Sequence, residues 1–133
     1  MPQVENGYVI EHPSGSVYLE PHGYLPADLP AQHLDAVITP VVDLGLPLAG
    51  AFVRGRQVLP QLLERFSPRT VLASTAGGEV RYAGLLSRIL WQRGTAAEAA
   101  EQVAALPVQV AATDQSAQPC QLIDPEPGRR YAL

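Results

Sequence analysis

The sequence predicts an α+β domain: a mixed β-sheet with helices packed on one of its faces. Three observations carry this. Two short apolar runs, LDAVIT at 34–39 and RTVLAS at 69–74, have the length and β-branched content of strands buried on both sides. Between them the apolar residues Val58, Leu59, Leu62, Leu63 and Phe66 recur at helical spacing. Ahead of both stand two β-rich segments parted by a turn. A strand–helix–strand unit closes by a right-handed crossover, which puts the connecting helices on one face.

The elements follow in order. Residues 7–12 and 16–20 make a hairpin, with Tyr8, Val9 and Ile10 in the first strand, Val17 and Leu19 in the second, and Pro13-Ser14-Gly15 as the turn. The three prolines within 21–32 make that stretch a loop. After the strand at 34–39, residues 41–54 are apolar and glycine-punctuated without a clear period, and read as an ordered loop. A helix over 56–66 accommodates Pro60 if that residue lies in the first turn, and Ser67-Pro68 ends it.

Following the strand at 69–74, Leu85, Leu86, Ile89 and Leu90 mark the apolar face of a helix over 82–92, with Gly94 at its C-terminal cap and Tyr82 and Trp91 as packing residues. Thr95 and Glu98 form a capping box for a further helix reaching about residue 106. Short strands at 108–111, 121–123 and 130–133 complete the chain, the last two joined through Pro127-Gly128. No repeat or linker divides the 133 residues, which make one domain over 1–133, long enough to bury a core.

Composition narrows the function. All nine basic residues are arginine and the net charge is −4, so no nucleic-acid partner is expected; Arg54 with Arg56, and Arg129 with Arg130, read as solvated pairs. The single cysteine, Cys120, cannot form an internal disulfide, and a reduced, cytoplasmic setting follows. The N-terminal stretch lacks a basic region leading into a long apolar one, and no apolar run reaches the ~18 residues of a spanning helix, so no leader and no membrane partner are expected.

Three places hold groups capable of chemistry. Glu20-Pro21-His22 sets a carboxylate and an imidazole at a strand end, followed by Gly23. They suit a divalent metal, or are a surface acid and a hydrogen-bonded histidine; as ligands alone, both could become alanine with folding intact. Asp43 lies in an apolar segment, either as a weaker ligand candidate or as an acid accepting backbone N–H bonds. Thr75, Gly77 and Gly78 lie between a strand and a helix, as an anion-binding turn or a plain one, without the lysine and spacing of a phosphate-binding loop or the spacing of a dinucleotide fingerprint. His12, His22 and His33 are spaced too widely for a local ligand pair, and no G-x-S-x-G elbow occurs.

The blocks ENGYVIEHPSGSVYLEPHGY, LDAVITPVVDLGLPLAGAFVRG, RTVLASTAGGEVRYAGLLSRIL and DPEPGRRYAL, in this order and spacing, resemble the C-terminal half of metallo-β-lactamase-like proteins, nearest to cyanobacterial and plastid members. The resemblance covers nearly the whole chain. It implies half of an αββα sandwich and a hydrolase-like protein using zinc or another divalent metal. It also implies that the metal site is incomplete here. The paired-histidine motif belongs to the other half, Glu20 or His22 stands where active members place a bridging Asp, and the last histidine's place falls near Thr75. Half a sandwich leaves the inner face of its sheet apolar, so the expected partner is a second copy or an N-terminal half. The alternative is a non-catalytic dimerisation or interaction module that retains only the fold.

Overall fold

A computed structural model describes residues 6–74, 83–106 and 119–132. The α+β class holds: two helices accompany two sheets. The five-stranded sheet has the order β1 (Tyr8–His12), β2 (Gly15–Leu19), β3 (Ala36–Thr39), β6 (Thr70–Ala73) and β8 (Gln121–Ile123). β1 and β2 form the expected antiparallel hairpin, while β2, β3, β6 and β8 run parallel.

A second, three-stranded antiparallel sheet is built from β4 (Asp43–Leu46), β5 (Gly50–Arg54) and β7 (Trp91–Arg93). It corrects two expectations. The 41–54 segment is a β-hairpin, not a loop. Its period is masked by Gly45 and by a register shift between Leu44 and Gly45, which breaks the alternation that identifies a strand. Residues 83–92 do not form the expected helix: a 3₁₀ turn, Leu85–Arg88, leads into β7. Helical spacing there had no core to face, since Leu85 is 83% exposed. Trp91 instead pairs with Gly45, where an added Cβ would lie 2.2 Å from the indole. Gly94, with φ +86°, therefore follows a strand, not a helix.

Helix α1 (Gly55–Phe66) buries Leu59, Leu62, Leu63 and Phe66, the stripe read from the sequence. Pro60 sits in its second turn, not its first. It lies on the exposed side, where water can take the Arg56 carbonyl that the missing N–H leaves free. Helix α2 (Ala96–Ala104) starts as expected, with Thr95 Oγ1 accepting the Glu98 N–H at 3.1 Å. Residues 130–132 form no strand; Tyr131 instead accepts the Glu126 N–H at its hydroxyl. The expected strand at 108–111 lies outside the described residues, as do Tyr82, Thr75, Gly77 and Gly78.

Sheet register defines two unlike faces. Val9, Tyr18, Val37, Val71 and Leu122 are lateral neighbours across all five strands. This row faces the helices. Tyr18 and Val37 pack with Leu62 and Phe66, the Tyr18 and Phe66 rings having centroids 4.9 Å apart. Val71 and Ala73 pack with Leu59, Leu63, Ala99 and Val103 and with Leu44 and Val53 of the second sheet. The alternate row is Tyr8, Leu19, Ile38, Leu72 and Ile123. Its members are only partly buried, and Tyr8 and its neighbour Ile10 are more than half exposed. Among the described residues, both α-helices pack on the first face.

Candidate functional site

The carboxyl ends of parallel strands are where open α/β sheets place their chemistry, and here that edge holds the Glu20–His22 position, directly after β2. Glu20 follows β2 and still joins the ladder, its N–H donating to the Ile38 carbonyl at 3.0 Å. Its side chain, on the Tyr18 face, has no solvent-exposed surface. Oε1 accepts the His22 N–H at 2.6 Å, and Oε2 accepts those of Gly23 and Tyr24 at 2.5 and 2.8 Å. Three of the roughly four lone-pair sites of a carboxylate are thereby occupied by main chain.

The loop that Glu20 ties down is also fixed from outside. Tyr18 donates its hydroxyl to the Tyr24 carbonyl at 2.7 Å, and the Arg54 N–H donates to the His22 carbonyl at 2.9 Å. Burial, with help from the neighbouring Glu20, pushes the Tyr18 phenol well above its ordinary range, so it stays a donor. Gly23 has φ +76°, and a Cβ there would lie 2.5 Å from the main chain of Arg54 and Gly55. Gly55 in turn abuts Pro40, whose carbonyl oxygen would be 2.1 Å from an added Cβ. Three backbone segments thus meet where β2 and β3 end and α1 begins.

Asp43, almost fully buried, opens β4 one step away along the chain from this junction. Oδ1 accepts the Gln57 N–H at 3.3 Å and Oδ2 the Gln57 side-chain amide at 3.2 Å. Helix α1 has no side-chain bond from its own N-cap, Arg54, and no acid in its first turn. Asp43 supplies the missing cap from another strand. This is the role of an acid accepting backbone N–H bonds, one of the two readings of the sequence.

Of the candidate positions, then, the two acids are buried and bonded to main chain, while the His22 side chain is exposed at the rim. Among the described residues no group of three or more His, Cys, Asp or Glu is placed to hold a metal ion. Ser74, which follows β6, donates its N–H to the Thr39 carbonyl; Thr75, Gly77 and Gly78 lie outside the described residues.

The opposite edge of the sheet holds contacts that sequence reasoning passed over. Asp35 Oδ2 accepts the Ser16 N–H at 2.8 Å and its hydroxyl at 3.2 Å, locking the start of β3 to β2. The Ser16 backbone N–H, aided by its hydroxyl, Arg69 and His33 against partial burial, holds the Asp35 carboxyl below the usual range. His12 Nδ1 lies 2.5 Å from Ser14 Oγ and also accepts the Ser14 N–H. These groups border an open depression of about 300 Å³, but their bonds are those of a hairpin turn. An acid nineteen positions from its partner gives no local signal in the sequence.

In comparisons with known proteins, no family model, curated protein or solved structure matches this chain. No helix among the described residues is long and apolar enough to cross a membrane.

Proposed function

We propose that this chain is one half of a metallo-β-lactamase-type αββα sandwich, a hydrolase-like protein whose metal site is incomplete within the chain and which has weak or no hydrolytic activity by itself. The observation that supports this is the one-sided sheet. Helices cover the Tyr18–Val37–Val71 row, while the Leu19–Ile38–Leu72–Ile123 row, with Tyr8 and Ile10, is apolar and only partly buried. In a two-sheet sandwich such a row faces another sheet at roughly 10 Å. The partner is a second copy of the chain or an N-terminal half carrying paired histidines.

Zinc or another divalent ion, when bound, would supply an activated water for hydrolysis. Of the candidate ligands, exposed His22 is the one free of a backbone-bonding role in its side chain among the contacts described; Glu20 holds its loop. That occupation of Glu20 favours a second reading, a non-catalytic dimerisation or interaction module keeping only the fold. The setting proposed for either is cytoplasmic, since the lone Cys120 is partly buried and forms no disulfide.

Metal content and mass in solution separate the readings. The hydrolase-like reading expects bound zinc or a similar ion that His22→Ala removes; the module reading expects less than about a tenth of an equivalent in both proteins. Both expect a dimer or a complex with the missing half. A stable, compact monomer across a wide concentration range in sedimentation would count heavily against the half-sandwich itself.

A further inference from the structure

Six large apolar side chains among the described residues are well exposed, and they fall into two groups. Tyr8 and Ile10 belong to the five-stranded sheet discussed above. Leu48, Phe52, Leu85 and Ile89 belong to the three-stranded sheet and the turn that feeds it. Leu48, at the tip of the β4–β5 hairpin, is fully solvated and has φ +68°. A branched residue in the left-handed region is strained, and glycine would serve a turn better. Neither folding nor solubility explains an exposed leucine held there.

Register sets what accompanies it. Asp43 lies between Arg54 and Arg93, and Gly45 beside Trp91, so Trp91 and Arg93 share the outward face of β7 with the Arg93 guanidinium 5.1 Å from the ring centroid. Ile89, in the turn just before β7, is about half exposed. Charge is equally one-sided. Residues 44–63 and 83–97 contain four arginines and no acid, in a chain whose net charge is −4. Arg56 pairs with Glu98 at 3.6 Å and Asp43 is buried against Gln57, so exposed Arg54, Arg88 and Arg93 set the charge of this side.

We propose that this outward face, led by Leu48, docks on an anionic lipid surface. An apolar hairpin tip on the same small sheet as a partly exposed tryptophan suits the interfacial region of a bilayer, and exposed Arg54, Arg88 and Arg93 complement acidic headgroups. No membrane partner was expected from the sequence because no spanning helix is encoded; a peripheral contact needs only a patch of this kind.

Co-sedimentation of the full chain with vesicles tests it. The protein pellets with phosphatidylcholine–phosphatidylglycerol vesicles at low salt, much less with phosphatidylcholine alone, and is released as salt rises. Leu48→Asp weakens partitioning by about tenfold or more. Leu48→Gly also weakens it while raising the melting temperature, which separates loss of the contact from loss of fold. Wild-type protein that stays in the supernatant with anionic vesicles, or Leu48→Asp protein that partitions like wild type, overturns the proposal. Wild-type protein that ignores both vesicles yet self-associates, with Leu48→Asp abolishing the association, also overturns it and assigns the tip to a protein contact.

Discussion

Glu20 Oε2 accepts the backbone N–H of Gly23 at 2.5 Å, and the same oxygen takes that of Tyr24. A buried acid at a strand end is therefore the clamp of its own loop. Glu20→Ala would leave three N–H groups without their acceptor, and a destabilisation of about 3 kcal/mol is expected in urea unfolding. Glu20→Gln, which keeps one acceptor oxygen, should lose less. An alanine variant as stable as wild type would show that water replaces the carboxylate freely. These bonds argue that removing Glu20 costs stability even if the variant still folds.

Asp43 caps a helix that it does not precede in sequence. Its replacement by alanine should lower stability by about 1 kcal/mol, the usual worth of an N-cap. Asp43→Asn, which still presents a carbonyl oxygen to the Gln57 N–H, should recover most of the loss. Chemical denaturation of the three proteins checks this, and equal loss in both variants would mean that charge, not the hydrogen bond, is what α1 needs.

The sequence made the β1–β2 hairpin legible by its β-rich segments and turn, β3 and β6 as short apolar runs, and α1 by its helical spacing. It concealed the second sheet. Gly45 contributes no side chain to a pattern, Phe52 falls at the irregular register, and β7 is only three residues long. At the candidate site, Glu20 and His22 were correctly placed at a strand end, yet their roles diverged. The turn at 21–24, with Gly23 at φ +76°, brings the His22, Gly23 and Tyr24 N–H groups to Glu20. Asp35 was invisible as a clamp for the opposite reason: Ser16, its partner, is distant along the chain.

Asp35 predicts an acid limb in stability. Its carboxyl is held below the ordinary range in the folded protein, chiefly by the Ser16 N–H. The folded state therefore binds a proton less readily than the unfolded chain. The stabilisation is present above the unfolded value and is lost as pH falls through the lower, folded one. Melting temperature should drop on acidification below about pH 4. Asp35→Asn should lower it near neutrality and flatten that part of the profile; an unchanged profile would remove Asp35 from the account.

Cys120 should be a slow thiol. It packs against the core around Val71 and Val103, and burial pushes its pKa up to about 11. Little thiolate exists near neutral pH, and access is restricted. A disulfide reagent should label the native protein far more slowly than the urea-unfolded chain. Equal rates would mean that this end of the sheet opens readily.

The strand order has a consequence for synthesis. β8 enters the sheet beside β6, although Gln121 pairs with Thr70 from some fifty positions away. While the nascent chain emerges, the side of β6 away from β3 presents an unmatched row of amides and carbonyls until Gln121–Ile123 have left the ribosome. Such late, long-range closure slows folding and exposes a strand edge to neighbouring chains.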